Sequence, residues 1–124
     1  MKVRCTILLD ADRRPVESSP WLTVGNVYHV LTILTEQSGN KWFRVVTSER
    51  DGGAQSLGLY PAECFEVLTD FRPSSWRNRE INGSVEVSPA SWQAPGFWED
   101  LYDGDPNANL IFEKERRLIL EEEP

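Results

Sequence analysis

The run Leu57-Gly58-Leu59-Tyr60-Pro61-Ala62-Glu63-Cys64-Phe65-Glu66-Val67 limits the folds open to this chain more than any other stretch. Proline has no backbone N–H, so a strand through Tyr60 has to stop at Pro61. Ala62, Glu63 and Cys64 then leave room for a single 3₁₀ turn before an aromatic and β-branched run resumes at Phe65. The stretch therefore reads as a short strand, one tight turn and a second short strand.

The residues before it read as further strands. Residues 3–9 are apolar and β-branched and predict a first strand, followed by a polar, proline-bearing loop over residues 10–20. Beyond a Gly25-Asn26 turn, Val27, His29, Leu31 and Ile33 alternate with Tyr28, Val30, Thr32 and Leu34. Both faces are partly apolar, which predicts one central strand. Ser38-Gly39-Asn40 predicts a hairpin turn, residues 42–47 the next strand, and the polar, glycine-rich residues 49–55 a loop.

Short strands at this spacing, with a helical turn before the last, predict a small antiparallel barrel. The residues resemble SH3-like barrels at three places. Leu22-Thr23-Val24-Gly25-Asn26-Val27-Tyr28 is similar to the leucine–glycine–aspartate signature opening their second strand, and Trp42-Phe43 sits where the tryptophan strand lies. Gly58-Leu59-Tyr60-Pro61 through Phe65-Glu66-Val67 is similar to their closing motif. The resemblance implies a barrel over residues 2–68, within a single domain whose residues 70–124 pack on it as a C-terminal extension. Three marks of peptide-binding SH3 domains are missing. Glu63-Cys64-Phe65 stands in place of Asn-Tyr after the proline, and the early paired tyrosines and acidic loop are absent apart from Asp10 and Asp12. Trp42, Tyr60 and Pro61 are a candidate aromatic groove for an extended peptide, with burial as core and rim the alternative.

From Asp70 the pattern changes. Residues 71–79 read as a basic connector carrying an exposed Trp76, and residues 84–87 as a brief strand after an Asn82-Gly83 turn. Ser88-Pro89 starts a single helical turn that Pro95 ends. Phe97, Trp98, Leu101 and Tyr102 recur at helical spacing, predicting a short amphipathic helix over residues 96–103 that stops at Gly104. Asp105-Pro106 starts a last helix to about residue 121, with Ala108, Ile111, Phe112, Leu118 and Ile119 as its core stripe. A strand through Leu118-Ile119-Leu120 is the alternative. The fold class expected is α+β, a small barrel followed by a short strand and two C-terminal helices.

Charge narrows the function. The net charge of −7 resides mostly in residues 99–124, with nine carboxylates against three basic residues, while residues 1–98 hold eleven against ten. That argues against nucleic acid, whose phosphates call for a basic face, and favours a basic protein partner. No apolar run reaches the length of a membrane span, the N-terminal run is too short for a signal peptide, and Cys5 and Cys64 read as buried thiols of a reducing compartment. A cytoplasmic protein is expected.

Chemistry is sparse. His29, the single histidine, lies in an apolar strand and reads as a structural residue, and the apolar neighbours of Cys64 make it an inert thiol. The acidic set Glu99, Asp100, Asp103 and Asp105 lacks EF-hand spacing, so no metal or other cofactor is expected, and no catalytic motif is present. The reading is a non-catalytic binding module that meets its partner through these four carboxylates, anchored by Trp98 and Trp76. In character it is similar to immunity proteins, which cover a toxin's basic cleft. A small enzyme or ligand binder with a cleft between barrel and C-terminal helices is the alternative.

Overall fold

The computed structural model describes residues 1–48 and 56–124. The loop expected over residues 49–55 lies outside the described residues. The strands are β1 (Lys2–Cys5), β2 (Val27–His29), β3 (Thr32–Thr35), β4 (Lys41–Val46), β5 (Leu57–Pro61), β6 (Phe65–Thr69), β7 (Trp76–Ile81) and β8 (Ser84–Pro89). Two helices follow, α1 (Phe97–Tyr102) and α2 (Pro106–Glu122). The α+β class and the two C-terminal helices agree with expectation, and the closed barrel does not.

The strands form two antiparallel sheets instead, of order β2-β1-β6 and β5-β4-β3-β8-β7. The expected single strand over residues 27–34 is two strands in two different sheets. β2 pairs with β1, whereas β3 pairs with β4 and β8. The chain changes sheet at Val30 and Leu31, whose N–H groups donate to Met1 and Arg44 carbonyls 2.9 Å away. The reason lies in the C-terminal half. β8 occupies the second edge of β3, which widens the larger sheet away from the smaller one.

Other boundaries shift for similar reasons. The first strand ends at Cys5, and beyond it only a Leu9–Pro15 bridge remains of the expected residues 3–9. The residues read as a basic connector form β7, the outer strand of a hairpin with β8. Its two-residue turn holds Asn82 and Gly83 at φ of 50° and 84°, as a type I′ turn requires. The 57–67 stretch forms as expected, with a single 3₁₀ turn over Ala62–Cys64 between β5 and β6.

The five-stranded sheet is used on both faces. Ile33, Phe43, Val45, Trp76 and Val87 pack with Val3, Cys5, Tyr28, Val30 and Phe65 of the smaller sheet and its approaches. Beneath the helices a second core gathers Leu31, Leu57, Trp92, Phe97, Leu101, Ala108, Phe112 and Ile119. The layers are therefore sheet, sheet, helices. Trp92 is the hub of the second core, stacked on Phe112 at 5.0 Å and on Phe97 at 6.5 Å between ring centroids. The buried stripe of α2 runs Ala108, Phe112, Arg116, Ile119. Leu118, expected inside, is exposed, and Arg116 takes the inward position.

Phe112 has no exposed surface and stacks on the buried Trp92. Phe112→Ala is expected to cost about 3–5 kcal/mol of unfolding free energy. Leu110→Ala, at a position 72% exposed, is expected to stay within about 0.5 kcal/mol. Urea denaturation followed by tryptophan fluorescence measures both.

Candidate functional site

The β4–β5 register sets Trp42 opposite Pro61 and Phe43 opposite Tyr60, so the three expected groove residues are neighbours at this end of the ladder, with Tyr60 on the opposite face from Trp42 and Pro61. The loop after β1 supplies the facing wall. It folds back on itself through the Leu9–Pro15 bridge, and the Asp10 carboxylate accepts the N–H groups of Asp12 and Arg14 at 2.9 Å each. Between this wall and β4–β5 lies a trough of about 370 Å³ that contains Trp42, Leu59, Tyr60 and Pro61 on one side and Asp10, Val16 and Trp21 on the other. Trp21 is 54% exposed, an unusual position for so large an apolar group unless something covers it.

Gly58 lets Tyr60 reach its place. A Cβ at residue 58 would stand 2.6 Å from the Tyr60 hydroxyl oxygen and 2.8 Å from the ring, so any side chain there evicts the phenol. Burial, reinforced by Tyr102 and Tyr28, pushes the Tyr60 pKa up to about 12, which keeps the hydroxyl protonated and able to donate. A second hollow of about 220 Å³, lined by Leu57 and Gly58, shares the Trp21 and Tyr60 walls.

Arg13 lies over Trp42. Its guanidinium lies 4.5 Å from the centre of the Trp42 ring, donates to Glu63 Oε2 at 3.1 Å and to the Lys41 carbonyl at 3.0 Å. The hold is weak. An exposed ion pair contributes about 0–1 kcal/mol and a cation–π contact about 0.5–1, against about 1–2 for a non-glycine residue in the left-handed region; Arg13 has φ of 63°. Trp42 is fixed independently, its indole N–H donating to the Glu36 carboxylate.

The acidic C-terminal residues lie elsewhere, around α1 and its junction with α2. Glu99, Asp100, Asp103 and Asp105 are all exposed, and none forms an ion pair among the described residues. Asp105 is the N-cap of α2 and accepts the Ala108 N–H at 2.8 Å. Trp98 faces inward. Its indole N–H donates to Glu86 Oε1 at 3.1 Å and the Arg44 guanidinium covers its ring at 3.7 Å. Arg44 and the 5%-exposed Glu86 come from neighbouring positions on the helical face of the large sheet. Burial lowers the Arg44 pKa, opposed by Tyr102 and Glu86. Trp76, expected on the surface, is buried in β7 because that segment is a strand over the core rather than a connector.

The cleft between sheet and C-terminal helix exists but is small, about 130 Å³, lined by Tyr28, His29, Arg116 and Leu120 among others. His29 Nε2 is 2.7 Å from the Glu123 carbonyl oxygen, and Arg116 donates to Glu113 at 3.2 Å. Burial lowers the His29 pKa. Both cysteines are free and buried, and burial raises the pKa of each thiol. Among the described residues no three His, Cys, Asp or Glu side chains gather in a way that would hold a metal ion, and no helix is long and apolar enough to cross a membrane.

No known protein family, curated protein or solved structure matches this chain. The trough's facing wall, with Val16 and Trp21, carries none of the expected groove residues. A tryptophan directly after the polar Ser18-Ser19-Pro20 was its one signal.

Two measurements probe the charged groups. Glu86→Gln keeps the volume but leaves Arg44 uncompensated, and is expected to cost about 3 kcal/mol in urea denaturation, where Glu99→Gln stays within about 0.5. The lowered His29 pKa means the unfolded chain binds the proton more readily. Its contribution is therefore present above the unfolded value near pH 6.5 and is lost as pH falls below it. His29→Gln should flatten the slope of stability against pH between about pH 5 and 7.

Proposed function

We propose that this protein is a non-catalytic binding module that holds an extended, basic segment of a partner protein in the trough between the 9–21 loop and β4–β5. The observation that carries this reading is the exposed Trp21 standing across from Trp42, Tyr60 and Pro61 over a volume that suits a few peptide residues. Large rigid aromatics around a concavity are where binding energy concentrates. Charge supports the sign of the partner. Asp10 lines the trough, the 9–21 loop that forms its wall carries Asp10, Asp12 and Glu17 against Arg13 and Arg14, and the whole chain carries −7.

A second reading supports the same basic partner through another surface. Glu99, Asp100 and Asp103 are exposed beside the half-exposed Tyr102, as an immunity-type protein that covers a toxin's cationic cleft would need. The two surfaces are separable by mutation. Asp100→Lys with Asp103→Lys removes the second and leaves the trough intact.

For the trough, the expected outcome is a shift of the Trp21 and Trp42 indole N–H resonances on titration with blocked lysine- and arginine-bearing peptides. Trp42→Ala should weaken that binding about thirtyfold or more. Gly58→Ala should weaken it too, because the displaced Tyr60 ring no longer forms the floor. If the lysine pair at 100 and 103 abolishes partner binding and Trp42→Ala does not, the immunity-type reading replaces this one.

A further inference from the structure

β5 is the end strand of the five-stranded sheet, and the ladder says which of its backbone groups are unused. In an antiparallel pair, hydrogen-bonded residue pairs alternate with pairs whose backbone groups point away from the partner. Thr47 N–H donates to Ser56 C=O at 3.2 Å, which makes that pair hydrogen-bonded. The same register makes Val45–Gly58 and Phe43–Tyr60 hydrogen-bonded, and turns the N–H and C=O of Leu57 and Leu59 and the C=O of Pro61 to the outer edge. The Tyr102 hydroxyl donates to the Leu57 C=O at 3.2 Å, and Pro61 has no N–H. Leu59 alone therefore presents both a donor and an acceptor, and among the described residues neither has a partner. Leu59 also lines the trough.

The two edges of this sheet are built differently. β7, the opposite edge, reads Trp-Arg-Asn-Arg-Glu-Ile, with the charges that keep a free edge from pairing with another chain. β5 reads Leu-Gly-Leu-Tyr-Pro and has none. We propose that the partner segment binds as an added β-strand, its backbone forming one hydrogen-bonded pair with Leu59 while its side chains lie between Trp21 and Tyr60. This rests on the trough being the binding site and specifies the conformation the trough selects. Basic side chains of the added strand would meet Asp10 and the carboxylates of the loop wall, and the guest strand would stop at Pro61, where the host edge has no donor.

The test uses the full chain and two blocked seven-residue probes of equal charge. One is the valine–lysine probe, which alternates the two residues, and the other is its analogue N-methylated at every residue, which has no residue N–H to donate. The expected result is that the valine–lysine probe binds more tightly, slows hydrogen exchange at the Leu59 amide, and moves the Trp21 and Trp42 indole signals. Leu59→Pro removes the outward donor as well as the Leu59 side chain and leaves the β4–β5 ladder intact, whereas Leu59→Ala trims the side chain and keeps the donor. Leu59→Pro should therefore weaken this probe about tenfold or more beyond Leu59→Ala. Far-ultraviolet circular dichroism checks that each variant folds, and the exchange measurement on the natural chain stands without them. Equal binding of both probes, with Leu59 exchange unchanged, overturns the added strand while leaving the trough as a side-chain groove. Indole signals unmoved by either probe overturn both. Concentration-dependent dimers that Leu59→Pro abolishes would give the edge to a second copy of this chain instead.

Discussion

The structure depends on a sheet that has to satisfy two different neighbours at once. On β3, β4 and β8 alternate residues face opposite ways. One set, Ile33, Phe43, Val45 and Val87, is apolar and meets the smaller sheet. The other includes Thr32, Arg44, Glu86 and Ser88, which are polar and largely buried beneath the helices. A charged pair in such a position is tolerated only when every partner is present. Trp98 of α1 supplies its indole N–H to Glu86 and its ring to Arg44. The helices thus dock on a surface that would be unstable without them, and the aromatic core around Trp92 adds the apolar part of the adhesion.

This division explains what was legible in the sequence. Turns and caps carry their own chemistry, so the Asn82-Gly83 turn, the Pro61 break with its 3₁₀ turn, and the Asp105-Pro106 helix start could be read locally. Sheet membership is not local. Residues 27–34 have one continuous alternating pattern, and only the pairing of β3 with β8, some fifty residues later, divides them between two sheets. β7 was missed because its polar residues face outward on an edge, which leaves Trp76 and Ile81 as its only apolar signals. Arg116 escapes the apolar stripe pattern of α2 for a related reason. Its aliphatic stem can lie inward while the guanidinium reaches Glu113, and hydropathy assigns the whole side chain to water.

The candidate site was legible in halves. Trp42, Tyr60 and Pro61 belong to adjacent strands, and a β-ladder of known direction makes them neighbours. The loop wall could not be read this way, because its position comes from the Asp10 carboxylate and the Leu9–Pro15 bridge rather than from any periodic pattern. Trp42, Tyr60 and Pro61 all border the trough although the strands do not close into a barrel. A hairpin and a 3₁₀ turn are sufficient for that local geometry.

The open edge of β5 is short by construction. At one end the hydroxyl of Tyr102, on α1, takes the Leu57 carbonyl, and at the other Pro61 withholds a donor. An uncharged edge of full length would template aggregation, but an edge on which one residue alone presents both donor and acceptor has too little backbone to hold another chain by itself. Any guest must also bury side chains against Trp21 and Tyr60, so strand addition becomes selective for segments that fit the trough. The same helix that covers the buried Arg44–Glu86 pair therefore also sets the length of the free edge. Loosening α1 would unseal the Leu57 carbonyl, lengthening the edge and weakening that selectivity at the same time.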